Sequence, residues 1–554
     1  MKRRMLIFFV AIIVGMLVLV IRAYDLQIVR GAEYRIQVQN MFKKLVSIPA
    51  PRGEIYDRNG KKLAWNVRKL RLSASPGFNW KRLEDFLKRC PGIDAENITK
   101  QLRNGGSVEL SLPPSVETRL WSIRGLRVEV TFRRFYRGEA FGHLVGYVNR
   151  EGKGIAGVEK YYDDLLAGFD GLLMIRAHDG QLIDSIPPIP GEPLRLTIDA
   201  DLQEYVYNLM KEERKPGAAI VMNPKTGEVY ALVSYPGYDS NALSMGVDEA
   251  KWRLMSADPR GRFINRAISA AYPPGSAIKP LVLLAALYYN EKETRELVIN
   301  CKGRYDLKDE EGNLLYSFSD WYPLGHGETD YIKAMAVSCN VFFYKLGMEI
   351  GINAIREMAS FVKLDGLTGI DLPGEKEGVI PDPYWKRVHV GEPWYIGDTL
   401  LTAIGQGYAR LTPLELICFY NLIATHGEFY EPHVAIRENV KPKFVLEFGP
   451  VYDDIVRSLV QVTTREGKTP KEHGTAYEIF KDFPLTVAGK TGTAEVWGGR
   501  APHSWFVGFA PAEDPQVSVL VFVENGGYGS QTAAPIARKI LARFFKIPET
   551  EDEE

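Results

Sequence analysis

The sequence is poor in cysteine, with 4 in 554 residues, and neither sign of charge is in surplus, because 69 Lys and Arg meet 69 Asp and Glu. Four thiols cannot staple a chain of this length, so a disulfide scaffold is excluded. A formal net charge of zero gives no general attraction to nucleic acid. No internal repeat is visible. Collagen-like and disordered compositions are excluded too, since 45% of residues are hydrophobic and 25% charged, as in ordinary globular chains. Long apolar runs are scarce: one stands at residues 5–21. The length suggests about three or four folding units.

That single run decides the compartment. Lys2-Arg3-Arg4 precede it, and Gly15 is its only small break. As a helix rising about 1.5 Å per residue it spans about 25 Å, enough for a bilayer core when flanking side chains reach outward. A cleaved signal peptide is the alternative. No small-x-small site is evident in Arg22-Ala23-Tyr24-Asp25-Leu26, so an uncleaved anchor is expected. Orientation stays open, because Arg22, Arg30 and Arg35 nearly balance Lys2, Arg3 and Arg4.

Residues 23–45 keep an amphipathic pattern (Leu26, Ile28, Val29, Tyr34, Ile36, Val38) that predicts a helix leaving the membrane, ended by Ile48-Pro49-Ala50-Pro51. Residues 52–64 predict strand, Asn59-Gly60 turn, strand. Short helices are expected over 80–90 and 95–102, a strand over 126–132, and strand followed by helix over 142–148 and 154–171. Pro187-Pro188-Ile189-Pro190-Gly191 is the best linker candidate. Beyond it, strands over 194–199, 218–222 and 228–234 and long helices after Ser276 predict a large mixed α/β domain.

Three short motifs carry chemistry. Pro273-Pro274-Gly275-Ser276-Ala277-Ile278-Lys279 places a hydroxyl and an amine at i, i+3, on one face where a helix should begin. A buried neutral amine can take the proton of such a hydroxyl, and a helix N-terminus offers N–H groups to an oxyanion. Alone the pattern means little, since a Ser-x-x-Lys tetrad arises about twice by chance in a chain this long. Ser338-Cys339-Asn340 adds a second hydroxyl for proton relay and an amide to orient substrate and lysine, with a turn or helix cap as its plain reading. Lys490-Thr491-Gly492-Thr493 offers a cation, two hydroxyls and a glycine on a strand that a substrate backbone and carboxylate can approach. The same tripeptide at Lys225-Thr226-Gly227 joins two β-rich runs and reads as a hairpin turn.

In the order Ser276, Ser338, Lys490, the three together resemble the penicillin-interacting serine acyltransferases. The likeness extends to residues 52–64 and 142–148, Gly157-Val158-Glu159, residues 199–203, Gly405-Gln406-Gly407 with Thr412-Pro413, and Trp505-Phe506-Val507-Gly508-Phe509-Ala510-Pro511, all similar to class B penicillin-binding proteins. The resemblance implies an α/β (α+β) transpeptidase domain at 191–546. Before it would stand a cytoplasmic tip and transmembrane helix at 1–22 and an elongated mixed α/β pedestal of the dimerisation type at 23–190, with an inserted head at about 65–140. A solvated acidic tail is expected at 547–554. It further implies a single-pass inner-membrane protein with its catalytic domain in the periplasm.

Cys301, Asp320, His326 and Cys339 flank the Ser-x-Asn motif. Two thiolates, an imidazole and a carboxylate suit tetrahedral zinc, but the spacing is irregular, and a Cys301–Cys339 disulfide or buried free thiols are the alternatives. The arrangement is similar to the zinc-binding loop of some penicillin-binding protein 2 members, which implies a structural Zn²⁺ and favours the elongation enzyme over the division one. Cys90 and Cys418 are expected to be packing residues, and His503 structural.

What the resemblance implies for mechanism is an acyl-enzyme route without nucleotide or redox cofactor. Neutral Lys279 activates Ser276 against a D-Ala-D-Ala stem peptide, and the Ser276 and Thr493 N–H groups hold the oxyanion. Ser338 relays the proton, Asn340 orients, and Lys490, Thr491 and Thr493, spaced by Gly492, grip the carboxylate. β-Lactams would acylate the same serine. The expected partner is a polytopic SEDS-family glycosyltransferase, with no nucleic acid. Alternatives are the septal transpeptidase of the same class, a D,D-carboxypeptidase or β-lactamase-like hydrolase, a penicillin-sensing receptor, and a non-catalytic scaffold.

Overall fold

The computed structural model describes residues 2–548 except 35–42, 76–77, 91, 113–119, 121–122, 124, 177–181, 470–471 and 497. Residues 1–53, 66–133 and 167–192 form one compact unit, and 54–65, 134–166 and 193–554 the other. The two therefore interleave along the chain, where the sequence reading divides it linearly near residue 190. The acidic residues 549–554 lie outside the described residues.

In the first unit, an apolar helix runs over Lys2–Tyr24 and widens into a π turn at Asp25–Val29. The most apolar 18-residue stretch within Arg3–Val29 has a mean hydropathy of 2.9 and none of it is buried by protein, which fits a single-pass anchor. Of the helix expected across 23–45, the described residues 23–29 and 31–34 are helical. Residues 43–48 are instead a strand, paired antiparallel with Gly171–Arg176, which in turn pairs with Leu182–Ile186. The partner comes from far along the chain, so tertiary pairing overrides the local period. Ile36 and Val38 lie outside the described residues. The head has its own core, in which Leu83 and Leu87 of the helix Trp80–Leu87 and Leu102 of the helix Ala95–Arg103 meet Leu70, Leu72, Leu110 and Val128. Asp94 starts the second helix by accepting the Asn97 N–H at 3.0 Å.

In the second unit, residues 142–145 form a short helix where a strand is expected. Glycines decide this. A Cβ on Gly142 would stand 2.4 Å from the Tyr238 carbonyl oxygen, and Gly146 ends the turn at φ +78°. Nearby, Arg134 Nε and Glu159 Oε1 form a buried pair at 2.8 Å.

The body of the second unit is built on a five-stranded antiparallel sheet of β1 (Gly217–Met222), β2 (Val229–Tyr235), β3 (Ala488–Ala494), β4 (His503–Ala510) and β5 (Val517–Val523). Its order is β2-β1-β5-β4-β3, leaving β3 on an edge. Every residue of β1, β2 and β5 is buried, so these strands read as unbroken apolar runs rather than alternating ones. The Lys225-Thr226-Gly227 copy is the β1–β2 turn, with Gly227 at φ +75° and the exposed Lys225 paired to Asp514. Of the helices that carry the site, α4 (Pro413–Ala424) packs on the sheet, while α1 (Lys279–Tyr289) packs against α2 (Tyr331–Ala336) and α3 (Asn340–Phe361). All twelve residues of α4 are buried; it begins with a Thr412–Glu415 capping box and Pro413 in the first turn.

Candidate active site

Ser276 is half-buried in a tight 3₁₀ turn, Gly275–Ile278, that leads into α1 at Lys279. Gly275 holds φ +55°, and its N–H bonds the Gly405 carbonyl at 3.0 Å. A Cβ on Gly275 would stand 2.6 Å from the Thr493 carbonyl oxygen, and one on Gly405 2.2 Å from the Gly275 oxygen. Only glycine lets this turn lie flat between the 405 loop and β3. Gly492 completes the contact, since its Cβ would meet the Pro274 oxygen at 2.8 Å and Trp505 Cβ at 2.9 Å. Trp505 Nε1 donates to the Pro273 carbonyl at 3.0 Å and the Tyr420 hydroxyl to the Ala277 carbonyl at 2.9 Å, which pins the turn from β4 and α4.

Ser338-Cys339-Asn340 joins α2 to α3. Ser338 takes the left-handed conformation, φ +58°, and Cys339 caps α3, its sulfur accepting the Phe342 N–H at 3.5 Å. Lys279 is fully buried here, with Nζ 2.8 Å from the Ser338 carbonyl, 2.8 Å from Asn340 Oδ1 and 3.2 Å from Ser338 Oγ. Burial pushes its amine down to about 8, against the weaker upward pull of Asp320 and Cys339. The amine donates to two carbonyl oxygens and to the Ser338 hydroxyl oxygen. Among the described residues the Ser276 hydroxyl makes no hydrogen bond, and the Lys279 amine bonds only Ser338 and Asn340.

Lys490 is also fully buried, donating to the Thr491 carbonyl at 3.2 Å. Burial and the neighbouring Lys279 charge hold it well below the ordinary lysine range. Thr491 Oγ1 lies 2.6 Å from Thr475 Oγ1; Thr493 Oγ1 accepts the Gly529 N–H at 3.2 Å and the Thr493 carbonyl the Gln406 amide at 3.4 Å. Sequence reasoning assigned no role to Thr475, Gln406, Trp505 or Tyr420. For Thr475 and Tyr420 the link to the site is a tertiary contact without a local signature, whereas Gln406 and Trp505 stand in segments already marked by the family resemblance. His503 accepts the Asn525 N–H at 3.0 Å and packs on Tyr272 and Phe522, away from Ser276. Cys90 and Cys418 are buried free thiols.

Beside the Ser-x-Asn hinge, ligand atoms of Cys301, Asp320 and Cys339 all lie within 4.8 Å of one another. Both thiols are free. His326 joins through Asp320, Nε2 to Oδ1 at 3.2 Å, while its Nδ1 is buried without a partner. Burial opposes ionisation of Asp320, but the His326 bond and charge and the Lys279 charge hold it down to about 2. The Cys339–Cys301 hydrogen bond pulls the Cys301 thiol down to about 6, while the same bond and burial keep Cys339 protonated. Asp320 Oδ2 also accepts the Asn340 N–H at 2.8 Å and the Val341 N–H at 3.2 Å, tying this cluster to the first turn of α3. Two sulfurs and a carboxylate thus come together as three of the four expected zinc donors, while the His326 imidazole stands outside that group and meets it only through Asp320.

A nucleophile turn seated on a sheet-edge Lys-Thr-Gly strand, with a buried lysine shared by a second serine and an asparagine, defines the class of serine acyltransferases. Residues 217–542 match the penicillin binding protein transpeptidase domain and residues 47–196 the penicillin-binding protein dimerisation domain. A Haemophilus influenzae relative, peptidoglycan D,D-transpeptidase MrdA, is 31% identical over 99% of this chain and 93% of its own length. Helicobacter pylori penicillin-binding protein 2, solved in complex with MreC, superposes with a TM-score of 0.76 at 29% identity, covering 91% of this chain and 99% of that one. A chain from a peptidoglycan synthase complex, described as coordinating polymerization and crosslinking, gives 0.74 at 25% identity over 99% of both chains. The chain belongs to the penicillin-binding protein transpeptidase family, as a class B member with a dimerisation domain ahead of the transpeptidase domain. It is a serine-type peptidoglycan D,D-transpeptidase.

Proposed function

We propose that the protein cross-links stem peptides during cell-wall elongation, with Ser276 as the nucleophile and Lys279 as its base. The observation that carries this reading is the fully buried Lys279 amine, held by Ser338 and Asn340 beside the serine turn. Neutral Lys279 takes the Ser276 proton as Oγ attacks the penultimate D-Ala carbonyl, and the Ser276 and Thr493 N–H groups face the oxyanion. Contact between Gly275 and Thr493 supports that pairing. Ser338 passes the proton to the leaving D-Ala, whose carboxylate is gripped by Lys490, Thr491 and Thr493. Lys490 is held low without a ligand, and an arriving carboxylate restores its charge. An amine of a neighbouring stem then attacks the acyl-enzyme.

Residues 1–22 serve as the anchor, 23–190 as pedestal, of which 54–65 and 134–166 fold into the second unit, and 191–546 as catalytic domain on the periplasmic side of the inner membrane. The pedestal engages a SEDS-type glycosyltransferase; the likeness to a chain of a peptidoglycan synthase complex supports such a partner. Cys301, Asp320, His326 and Cys339 would hold a structural zinc ion, which when bound fixes the loop before α3. Asp320 and Cys339 transmit that rigidity to Asn340 through the helix start. Labelling with a fluorescent penicillin tests the nucleophile: Ser276→Ala should abolish the covalent band, and a persistent band would remove Ser276 from the role.

A further inference from the structure

Thr475 belongs to no motif, yet it is bolted between two of them. Gly474 and Ala476 donate to the carbonyls of Arg465 at 2.9 Å and Val462 at 3.0 Å, around the end of the helix Val451–Thr464. A Cβ on Gly474 would stand 2.4 Å from the carbonyl oxygens of both Gln461 and Val462, so the segment sits hard on that helix. The Thr475 N–H bonds the Ala336 carbonyl at 3.0 Å, two residues before Ser338, and its hydroxyl lies 2.6 Å from that of Thr491. The side chain therefore has a fixed mount and one hydroxyl neighbour.

Each threonine hydroxyl has one proton to give. If Thr491 donates to Thr475, nothing remains for an incoming anion. If Thr475 donates to Thr491, the Thr491 proton is free to point into the cleft, and the donated bond polarises it into a better donor. A carboxylate accepts only, so its arrival selects the second arrangement. Thr491 is 6% exposed, which leaves its proton few other destinations.

We infer that Thr475 is a positioning residue for substrate carboxylate recognition, completing a one-way relay from the Thr475 hydroxyl through Thr491 to the terminal carboxylate of the donor peptide. This rests on the reading that Thr491 grips that carboxylate. Thr475 touches no reacting atom and acts through its neighbour.

The test uses the full-length protein in detergent and two acyl donors, a peptide thiolester with a free terminal carboxylate and its neutral methyl ester. Thr475→Val should slow acylation by the carboxylate donor about five- to tenfold, the scale of one lost hydrogen bond. It should leave the methyl ester rate unchanged. Thr475→Ser keeps the hydroxyl and should restore the wild-type rate and its preference. The double variant with Thr491→Val should be no slower than Thr491→Val alone. Equal slowing of both donors by Thr475→Val, failure of Thr475→Ser to rescue, or a Thr475→Val enzyme as fast as wild type while Thr491→Val loses its preference would each overturn the relay. A Thr491→Val enzyme that keeps the full wild-type preference for the carboxylate donor would overturn the underlying reading that Thr491 grips the carboxylate, and the relay with it.

Discussion

Lys279 gives the sharpest quantitative consequence. Its amine is shifted by burial from 10.5 to about 8. At pH 7 the neutral fraction is then roughly 10%, against roughly 0.03% for an unshifted lysine, a gain of about 300-fold in usable base. The shift also bears on stability. Between about pH 8 and the unfolded value the unfolded chain binds the proton and the native one does not, so stability should rise with pH across that window. Below about pH 8 the penalty is constant, and the difference of 10.5 − 8 makes it roughly 3 kcal/mol. The assay is stopped-flow acylation by a fluorescent penicillin from about pH 6 to about pH 10. The logarithm of the rate should climb with unit slope and level off near pH 8. Lys279→Arg, charged at every accessible pH, should lose roughly 10²–10⁴-fold. A flat profile through neutrality, or an arginine variant of near-normal rate, would refute the neutral-amine argument.

Gly492→Ala places a methyl against the Pro274 carbonyl and Trp505 and should displace the serine turn, slowing acylation at least about tenfold with a lower melting temperature, read by penicillin binding and calorimetry. Glu159→Ala leaves the Arg134 guanidinium buried without this partner and should cost about 3–5 kcal/mol in denaturant unfolding; a loss under about 1 kcal/mol would contradict the burial argument. Metal analysis of the purified protein should find near-stoichiometric zinc that falls in His326→Ala, whereas metal in neither protein would leave the two cysteines as plain buried thiols.

Some of this protein was legible from residue order alone. The apolar run after Lys2-Arg3-Arg4 and the β-rich stretches around Lys225-Thr226-Gly227 each depend on neighbours within a few positions. Those are the ranges over which hydrophobic periodicity and turn chemistry act. The segments 43–48 and 142–145 were misread for the complementary reason. One is a strand because a distant strand pairs with it, and the other coils into a helix because Gly142 must lie against Tyr238.

The sequence by itself determined which groups were on hand: two serines, two lysines, an asparagine and a glycine-spaced threonine pair in a fixed order. Only the tertiary structure set the second Lys-Thr-Gly on a sheet edge against Pro274 and decided that Lys279 and Lys490 lose their water. It also brought Thr475 to Thr491 and Asp320 to the start of α3. The reason is one of range: propensity and patterning act along the chain, whereas desolvation and hydrogen bonding depend on what lies within a few ångströms in space, and only folding supplies those neighbours.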